Sequence, residues 1–355
     1  MDRSKRIEAF ILLGKVFKAL SQQEMKGVES IISIDLVEEW NEAIEKAQIL
    51  NPWFTKDNVI LALEGLGEML EEDKILEWIS IYISELQELE PLNIGVIMAG
   101  NIPLVGFHDM LCVLISGHVF HGKMSSEDRL FYPLIKKTFL AWDQGWDELV
   151  HLYEDKLASF DAIIATGSNN TAKHFEYYFG KYPNIIRKNR NAIAIFSGDE
   201  TKEDIREFGK DLFQFFGLGC RNVSKLFLPQ GFELNRIFEG IYEYGEVINH
   251  HKWCNNYDYN KAVFLMSSFK FLDNNFLLLK EQEGNLISPL GTLYYEFYED
   301  RNEVIESLEQ RKDEIQCIVG RDFIPFGRSQ KPELWDYADG VDTMKFLSKL
   351  HSTNS

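Results

Sequence analysis

The chain has 355 residues, 45% of them hydrophobic and 13% aromatic, with a formal net charge of −19. This composition suits two domains or one large α/β domain with a real core, and it excludes a disordered chain. The acidic balance argues against non-specific binding to nucleic acid or anionic membranes, since both need a basic face, but it leaves room for a local basic pocket.

The first 90 residues are predicted to be helical. Ile7, Phe10, Ile11, Leu13 and Phe17 recur at near-helical spacing, as do Ile60, Leu63, Leu66, Met69 and Leu70, and then Ile75, Trp78, Ile79 and Tyr82. From about residue 92 short apolar runs alternate with helical patterns: IGVIMA (94–99), HVFHGK (118–123), DAIIAT (161–166) and AIAIF (192–196). Each run is followed by small polar residues and a helix-like segment, the mark of βα units around a mostly parallel sheet. TKEDIREFGKDLFQFF reads as a helix with Thr201 as N-cap and Ile205, Phe208, Leu212 and Phe215 on its apolar face. Val223–Leu228 alternates like a strand. A second βα-like region runs to about residue 330, and a tail begins at Lys331.

Ligands of such sheets bind outside the carboxyl ends of the strands, so the junctions carry the functional candidates. In AGNIPL (99–104), Asn101 can donate to an oxyanion or simply make a turn. In HVFHGKMSSED (118–128), a strand ends at Lys123 and Ser125 and Ser126 open a helix; the lysine can reach a ribose or phosphate, or sit in solvent. ATGSNNTAKHF (165–175) puts Gly167 and Ser168 between a strand and a helix N-terminus, either a phosphate site or an ordinary cap. It is not a GxGxxG turn and lacks a P-loop lysine.

Four cysteines, at 112, 220, 254 and 317, form no CxxC pair and no zinc-like spacing. Unbridged thiols belong to a reducing compartment. The N-terminus has no cleavage-type region and no uncharged apolar stretch spans a bilayer, so a soluble cytoplasmic protein without an integral membrane segment is expected. Cys112 lies in the apolar run MLCVLI. Cys220, in FFGLGCRN, comes after a glycine and precedes Arg221 and Asn222, which suits either small core packing or a nucleophile with a nearby cation. The pairs His118/His121 and His250/His251 lack the partners of a metal site, and no metal is expected.

In this order, these stretches resemble the aldehyde dehydrogenase superfamily. AGNIPL is similar to its oxyanion-asparagine segment, HGKMSSED to its Lys-Pro-Ser-Glu stretch, ATGSNN to Phe-Thr-Gly-Ser, and FGLGC to Gly-Gln-x-Cys. LISPLGTLYYEFYEDRNEVIESLE (286–309) is similar to the Phe-Gly-Pro segment with its succeeding strand and helix, and IPFGRSQ (324–330) to Pro-Phe-Gly-Gly. The likeness runs from about 92 to 345. The family's catalytic glutamate falls nearest Ile195, and the glutamate of the Phe-Gly-Pro segment near Asn285. A short chain without that base, ending in FGRSQKPELWDYADGVDT, resembles the acyl-CoA reductases of the LuxC family, known from bacterial luminescence.

The resemblance implies an aldehyde dehydrogenase-like α/β fold. A helical N-terminal region and a Rossmann-type nucleotide-binding domain would occupy 1–200, a catalytic cysteine domain 201–330, and a tail 331–355. It implies a ping-pong reduction of an acyl-CoA or acyl-carrier thioester to the aldehyde, with Cys220 as nucleophile and Asn101 with the Cys220 N–H holding the oxyanion. Gly167 and Ser168 would face the cofactor pyrophosphate, Lys123 its ribose, and Asn285 would complete the cofactor set. NADPH is favoured by Lys123, with NADH the other choice, and a homo-oligomer is the family's habit. The other readings are an acyl-phosphate reductase, an enzyme oxidising aldehydes on the same scaffold, or a catalytically silent nucleotide- or partner-binding protein.

Overall fold

A computed structural model describes residues 1–86, 90–157 and 159–350, and the end of the polar tail lies outside them. The alternating pattern resolves into two parallel sheets, one in each of two units: Met1–Lys188 with Pro332–Ser355, and Asn189–Lys331.

The first unit begins with helices α1 (Arg3–Gln22), α2 (Met25–Val28), α3 (Ile34–Leu50), α4 (Lys56–Met69) and α5 (Glu72–Ser80). Asp2, Ser33 and Thr55 cap α1, α3 and α4 by accepting backbone N–H groups three residues on. Each cap satisfies a donor the helix cannot, worth about 1 kcal/mol. The stripe Phe10, Leu13, Val16, Phe17 of α1 is fully buried. α1 lies close against α4 because Gly14 has no side chain; a Cβ there would sit 2.6 Å from Leu70 Cβ.

Five strands come next: β1 (Asn93–Ile97), β2 (Val119–Lys123), β3 (Val150–Tyr153), β4 (Ala162–Thr166) and β5 (Asn184–Arg187), all parallel in the order β3-β2-β1-β4-β5. The crossovers carry α6 (Phe107–Ser116), α7 (Phe131–Trp142) and α8 (Asn169–Phe179). Phe10 meets Phe107, Phe139 and Trp146 edge-on, with ring centroids at 6.0, 5.2 and 6.3 Å, so the helical region shares its core with the sheet unit. Arg6 is buried yet satisfied: its Nη1 donates to the carbonyls of Leu114 and His118, both at 2.9 Å, at the end of α6.

The tail from Pro332 packs with this unit. Trp78 Nε1 donates to the Tyr337 hydroxyl at 2.8 Å, and a His108 ring nitrogen bonds the Leu334 carbonyl at 2.9 Å. A buried ion pair joins Arg187 to Asp109, and Arg187 Nη2 also donates to Thr343 Oγ1 at 3.0 Å. The helix expected to open at Ser125 and Ser126 is not there. Ser125 and Asp128 pair across a turn instead, and α7 starts at Phe131. Asp128 is turned inward to accept the Leu104 N–H from this turn.

The second unit holds β6 (Asn191–Ile195), α9 (Lys202–Phe213), β7 (Val223–Pro229), α10 (Asn235–Gly240), α11 (His251–Met266), β8 (Leu272–Asp273), β9 (Leu278–Glu281), β10 (Thr292–Tyr298), α12 (Arg301–Glu309) and β11 (Ile315–Val319). Its order is β11-β6-β7-β10-β9-β8, parallel except for the short antiparallel edge pair β8/β9. Thr201 caps α9 in a reciprocal box with Asp204. The periodic pattern predicts a helix through Phe216, but α9 stops at Phe213. Phe215, Phe216 and Gly217 take φ of 51°, 53° and 68°, a left-handed run that is costly for phenylalanine. Burial of Phe215 and stacking of Phe216 on His250, with centroids 4.2 Å apart, offset that cost. Among the described residues no helix is long and apolar enough to cross a membrane.

Candidate active site

The left-handed run delivers the chain to Gly219 and Cys220 at the amino end of β7, where Cys220 is exposed. Asn222 fastens this corner. Its Oδ1 accepts the Gly219 N–H at 2.8 Å, and its own N–H donates to the Gly219 carbonyl at 3.0 Å. Its Nδ2 donates to the carbonyls of Asp211 at 3.1 Å and Gln214 at 2.9 Å, which α9 leaves without partners where it ends. A Cβ on Gly219 would lie 3.0 Å from Asn222 Oδ1 and 3.3 Å from Gln330 Oε1, so a side chain here would press on both carboxamides.

A second brace comes from Asp211, whose side chain is fully buried. Its Oδ2 accepts the Gly327 N–H at 2.7 Å and its Oδ1 the Ser329 N–H at 3.0 Å. Burial pushes this carboxyl up to about 6, against the pull of the two N–H donors. Arg221 Nη1 donates to the Ser329 carbonyl at 3.3 Å. The IPFGRSQ loop is thereby tied to the cysteine corner from both sides. The other thiols differ: Cys112 is buried and its pKa is raised by that burial, and at Cys254 burial and then Asp258 act in the same direction.

In the first unit, Asn101, Lys123, Gly167 and Ser168 come to one edge of the sheet. Register pairs Ile97 with both Lys123 and Ala165, so β1, β2 and β4 end at one level. The order reverses between β1 and β4, the switch point where open α/β sheets form a crevice. Asn101 is exposed just beyond β1, and Lys123 is half-buried at the end of β2. Asp128 holds the Asn101 loop, accepting the Leu104 N–H at 2.7 Å, and burial pushes its carboxyl up to about 7. Ser168 caps α8, accepting the Thr171 N–H at 3.2 Å, and its hydroxyl bonds Thr171 Oγ1 at 2.9 Å. A Cβ on Gly167 would sit 2.9 Å from Thr171 Cγ2 and 3.0 Å from Phe175 Cε2. Glycine thus lets α8 start hard against the strand end, leaving first-turn N–H groups for an anion.

Asn285 belongs to the second unit, exposed in the β9–β10 connection after Gly284 (φ 71°), and its Oδ1 accepts the Ile287 N–H at 3.0 Å. The segment after it approaches β7, since Ser224 Oγ donates to the Leu286 carbonyl at 2.7 Å. Ile195 is buried in β6. His118 bonds the Leu92 N–H and the Leu347 carbonyl, both at 3.2 Å, and His250 caps α11. Sequence patterns did not single out Asp128, Asp211 or Gln330, and they left Asn222 without a role. The sole hint was that Asn222 lies two residues past the cysteine in a glycine-rich turn.

No family model and no curated protein sequence matches the chain. Solved structures do. Aldehyde dehydrogenase 21 from Physcomitrella patens, in complex with its reaction product succinate, superposes with a TM-score of 0.59 at 13% identity, covering 91% of this chain and 79% of that one. The aldehyde dehydrogenase KauB from Pseudomonas aeruginosa gives 0.59 at 12% identity over 90% and 72% of the two chains. An indole-3-acetaldehyde dehydrogenase complexed with NAD+ gives 0.57 at 12%, over 90% and 72%. At such identities the shared property is the fold, and the chain adopts the aldehyde dehydrogenase fold, with its helical N-terminal region built into the core of the first unit.

Proposed function

We propose that this chain is an oxidoreductase that reduces an acyl thioester, acyl-CoA or an acyl-carrier conjugate, to the aldehyde through a thioacyl group on Cys220. The observation that carries the reading is an exposed cysteine on a corner fixed by Asn222 and Asp211, in a chain of aldehyde dehydrogenase fold. The Cys220 thiolate attacks the thioester carbonyl; a C–S bond forms to Cys220, the C–S bond to the carrier breaks, and the departing thiolate takes up a proton. The Cys220 N–H donates to the tetrahedral oxyanion, such a donor being worth about 2.7–4 kcal/mol of barrier, and Asn101 is kept as an oxyanion donor on the resemblance alone.

The switch-point edge suits a dinucleotide: Gly167 and Ser168 at the start of α8 would hold the pyrophosphate and Lys123 the ribose side, which favours NADPH over NADH, and Asn285 is assigned to the cofactor by the resemblance. When bound, the reduced nicotinamide supplies the hydride that takes the thioacyl carbon to the aldehyde level. Release of the aldehyde restores the Cys220 thiol. No water is activated in this sequence, which agrees with an apolar residue, Ile195, where the resemblance would put a base. A cytoplasmic homo-oligomer completes the proposal.

Incubation with acyl-CoA and no reduced cofactor, with subsequent digestion and mass spectrometry, is expected to find the acyl group on Cys220. An acyl group elsewhere, or none, overturns the reading. Turnover of an aldehyde with oxidised cofactor, or of an acyl phosphate, would instead assign the chain to those reactions.

A further inference from the structure

The sheet of the first unit is covered unequally on its two faces. The helical core packs on Ile94, Val96, Phe120 and Val150. Alternation along the strands turns Gly95, Ile97, His121, Lys123, His151 and Tyr153 to the other face. There α8 packs against β4 and β5. β3 and β4 are joined by residues 154–161, which carry no helix among the described residues. Leu157 and Phe160 of that connection close over Gly95. Nearer the carboxyl edge, Lys123 and Tyr153 stay half-buried, side by side in register on β2 and β3. Tyr153 is a fixed ring. Asn93 Nδ2 donates to Asp161 Oδ2 at 3.3 Å, so it is Oδ1 that meets His121 Nε2, at 3.0 Å. That nitrogen therefore carries the proton, and Nδ1 accepts the Tyr153 hydroxyl at 3.0 Å. The two ring planes lie within 14° of each other. His151, in register with His121, adds a third ring, with centroids 4.7 Å apart. Lys123 has no hydrogen-bond or ion-pair partner among the described residues, in a chain of net charge −19.

We infer that the adenine of the bound dinucleotide stacks on Tyr153, one strand beyond Lys123, so that the adenosine half lies along the ends of β2 and β3. This rests on the reading of the switch-point edge as the cofactor site. A phosphorylated purine nucleoside needs a flat ring for its base and a cation for its phosphate, and this face offers both next to each other. The covalent order of the ligand also matches the order of the strand ends. Gly167 and Ser168 follow β4 for the pyrophosphate, Lys123 ends β2 for the ribose, and Tyr153 ends β3 for the base, in a sheet ordered β3-β2-β1-β4-β5. The base thus covers ring surface that no helix covers, and the nicotinamide lies on the side of the pyrophosphate away from β3.

The test titrates NADPH and adenosine 2′-monophosphate into the full chain, Tyr153→Leu and Tyr153→Phe. Leucine removes the ring; phenylalanine keeps the ring and loses only the hydroxyl bond to His121. Tyr153→Leu should weaken both ligands by the same factor, about tenfold, while Tyr153→Phe stays within about twofold of the unaltered protein. No loss in Tyr153→Leu overturns the inference, as does an equal loss in Tyr153→Phe, which would assign the effect to the His121 bond. A second measurement needs no variant: the 2-azidoadenine analogue of NADPH, photolysed on the unaltered protein, should label the peptide that contains Tyr153. A label found only in other peptides overturns the placement while leaving the cofactor reading intact. If the unaltered protein binds neither NADPH nor NADH, the cofactor reading itself fails, and this placement with it.

Discussion

Asn222 and Gly219 are bonded twice over: side-chain oxygen to N–H at 2.8 Å, and N–H to carbonyl at 3.0 Å. The same carboxamide ends α9 by donating to two of its last carbonyls. One buried side chain therefore joins the helix end, the glycine corner and the strand beyond it. Asn222→Asp keeps the acceptor but sets a carboxylate against the Asp211 and Gln214 carbonyls. It should cost about 2–3 kcal/mol in urea unfolding and slow acylation of Cys220, whereas a surface aspartate would do neither. Unchanged stability would mean that the corner is held by something else.

The Asn101 loop depends on Asp128 in a pH-sensitive way. Burial raises this carboxyl from 3.8 to about 7; it faces the Leu104 N–H and, beyond it, the buried Tyr132 hydroxyl. Between those values the folded protein keeps a proton that the unfolded chain gives up. The stability from this group is thus complete below about pH 4 and is lost as pH rises to about 7. Asp128→Asn mimics the protonated form. It should match the unaltered protein near pH 4 and exceed it at pH 8, by about 1–4 kcal/mol. A difference that does not grow with pH would contradict the assignment.

The ion pair of Arg187 and Asp109 is buried on both sides and also reaches Thr343. Removing one partner strands the other charge. Arg187→Ala should destabilise by about 3–5 kcal/mol, and Arg187→Met combined with Asp109→Leu by clearly less than the two single changes together. Simple additivity in chemical denaturation would show that the two charges do not interact.

Cofactor affinity should track the strand–helix turn. Gly167→Ala introduces a methyl 2.9–3.0 Å from the side chains of Thr171 and Phe175, which must shift at the start of α8. Titration calorimetry should then find affinity for NADPH lowered about tenfold, or about 1.4 kcal/mol. Lys123→Met should weaken NADPH more than NADH, since only NADPH carries the extra phosphate. Equal losses for both dinucleotides would remove Lys123 from the ribose side.

The order of elements was legible because each depends on neighbours in sequence. The runs at 94–99, 118–123, 161–166 and 192–196 became β1, β2, β4 and β6 within a residue or two, and Thr201 did cap α9. Period and capping are local properties, read from a few adjacent residues. The short strands β3 and β5 were missed because four residues carry too little pattern. Tertiary structure alone decided that Phe215 turns left-handed rather than extending α9, since burial and the Phe216–His250 stack outweigh helix propensity there. It alone decided that Asp128 and Asp211 face inward to backbone donors at 104, 327 and 329, distant in sequence. Local pattern was enough for βα units around a mostly parallel sheet, a helical N-terminal region and a cysteine at a glycine corner. What holds that corner rigid comes from residues up to 118 positions apart, whose meeting no local pattern records.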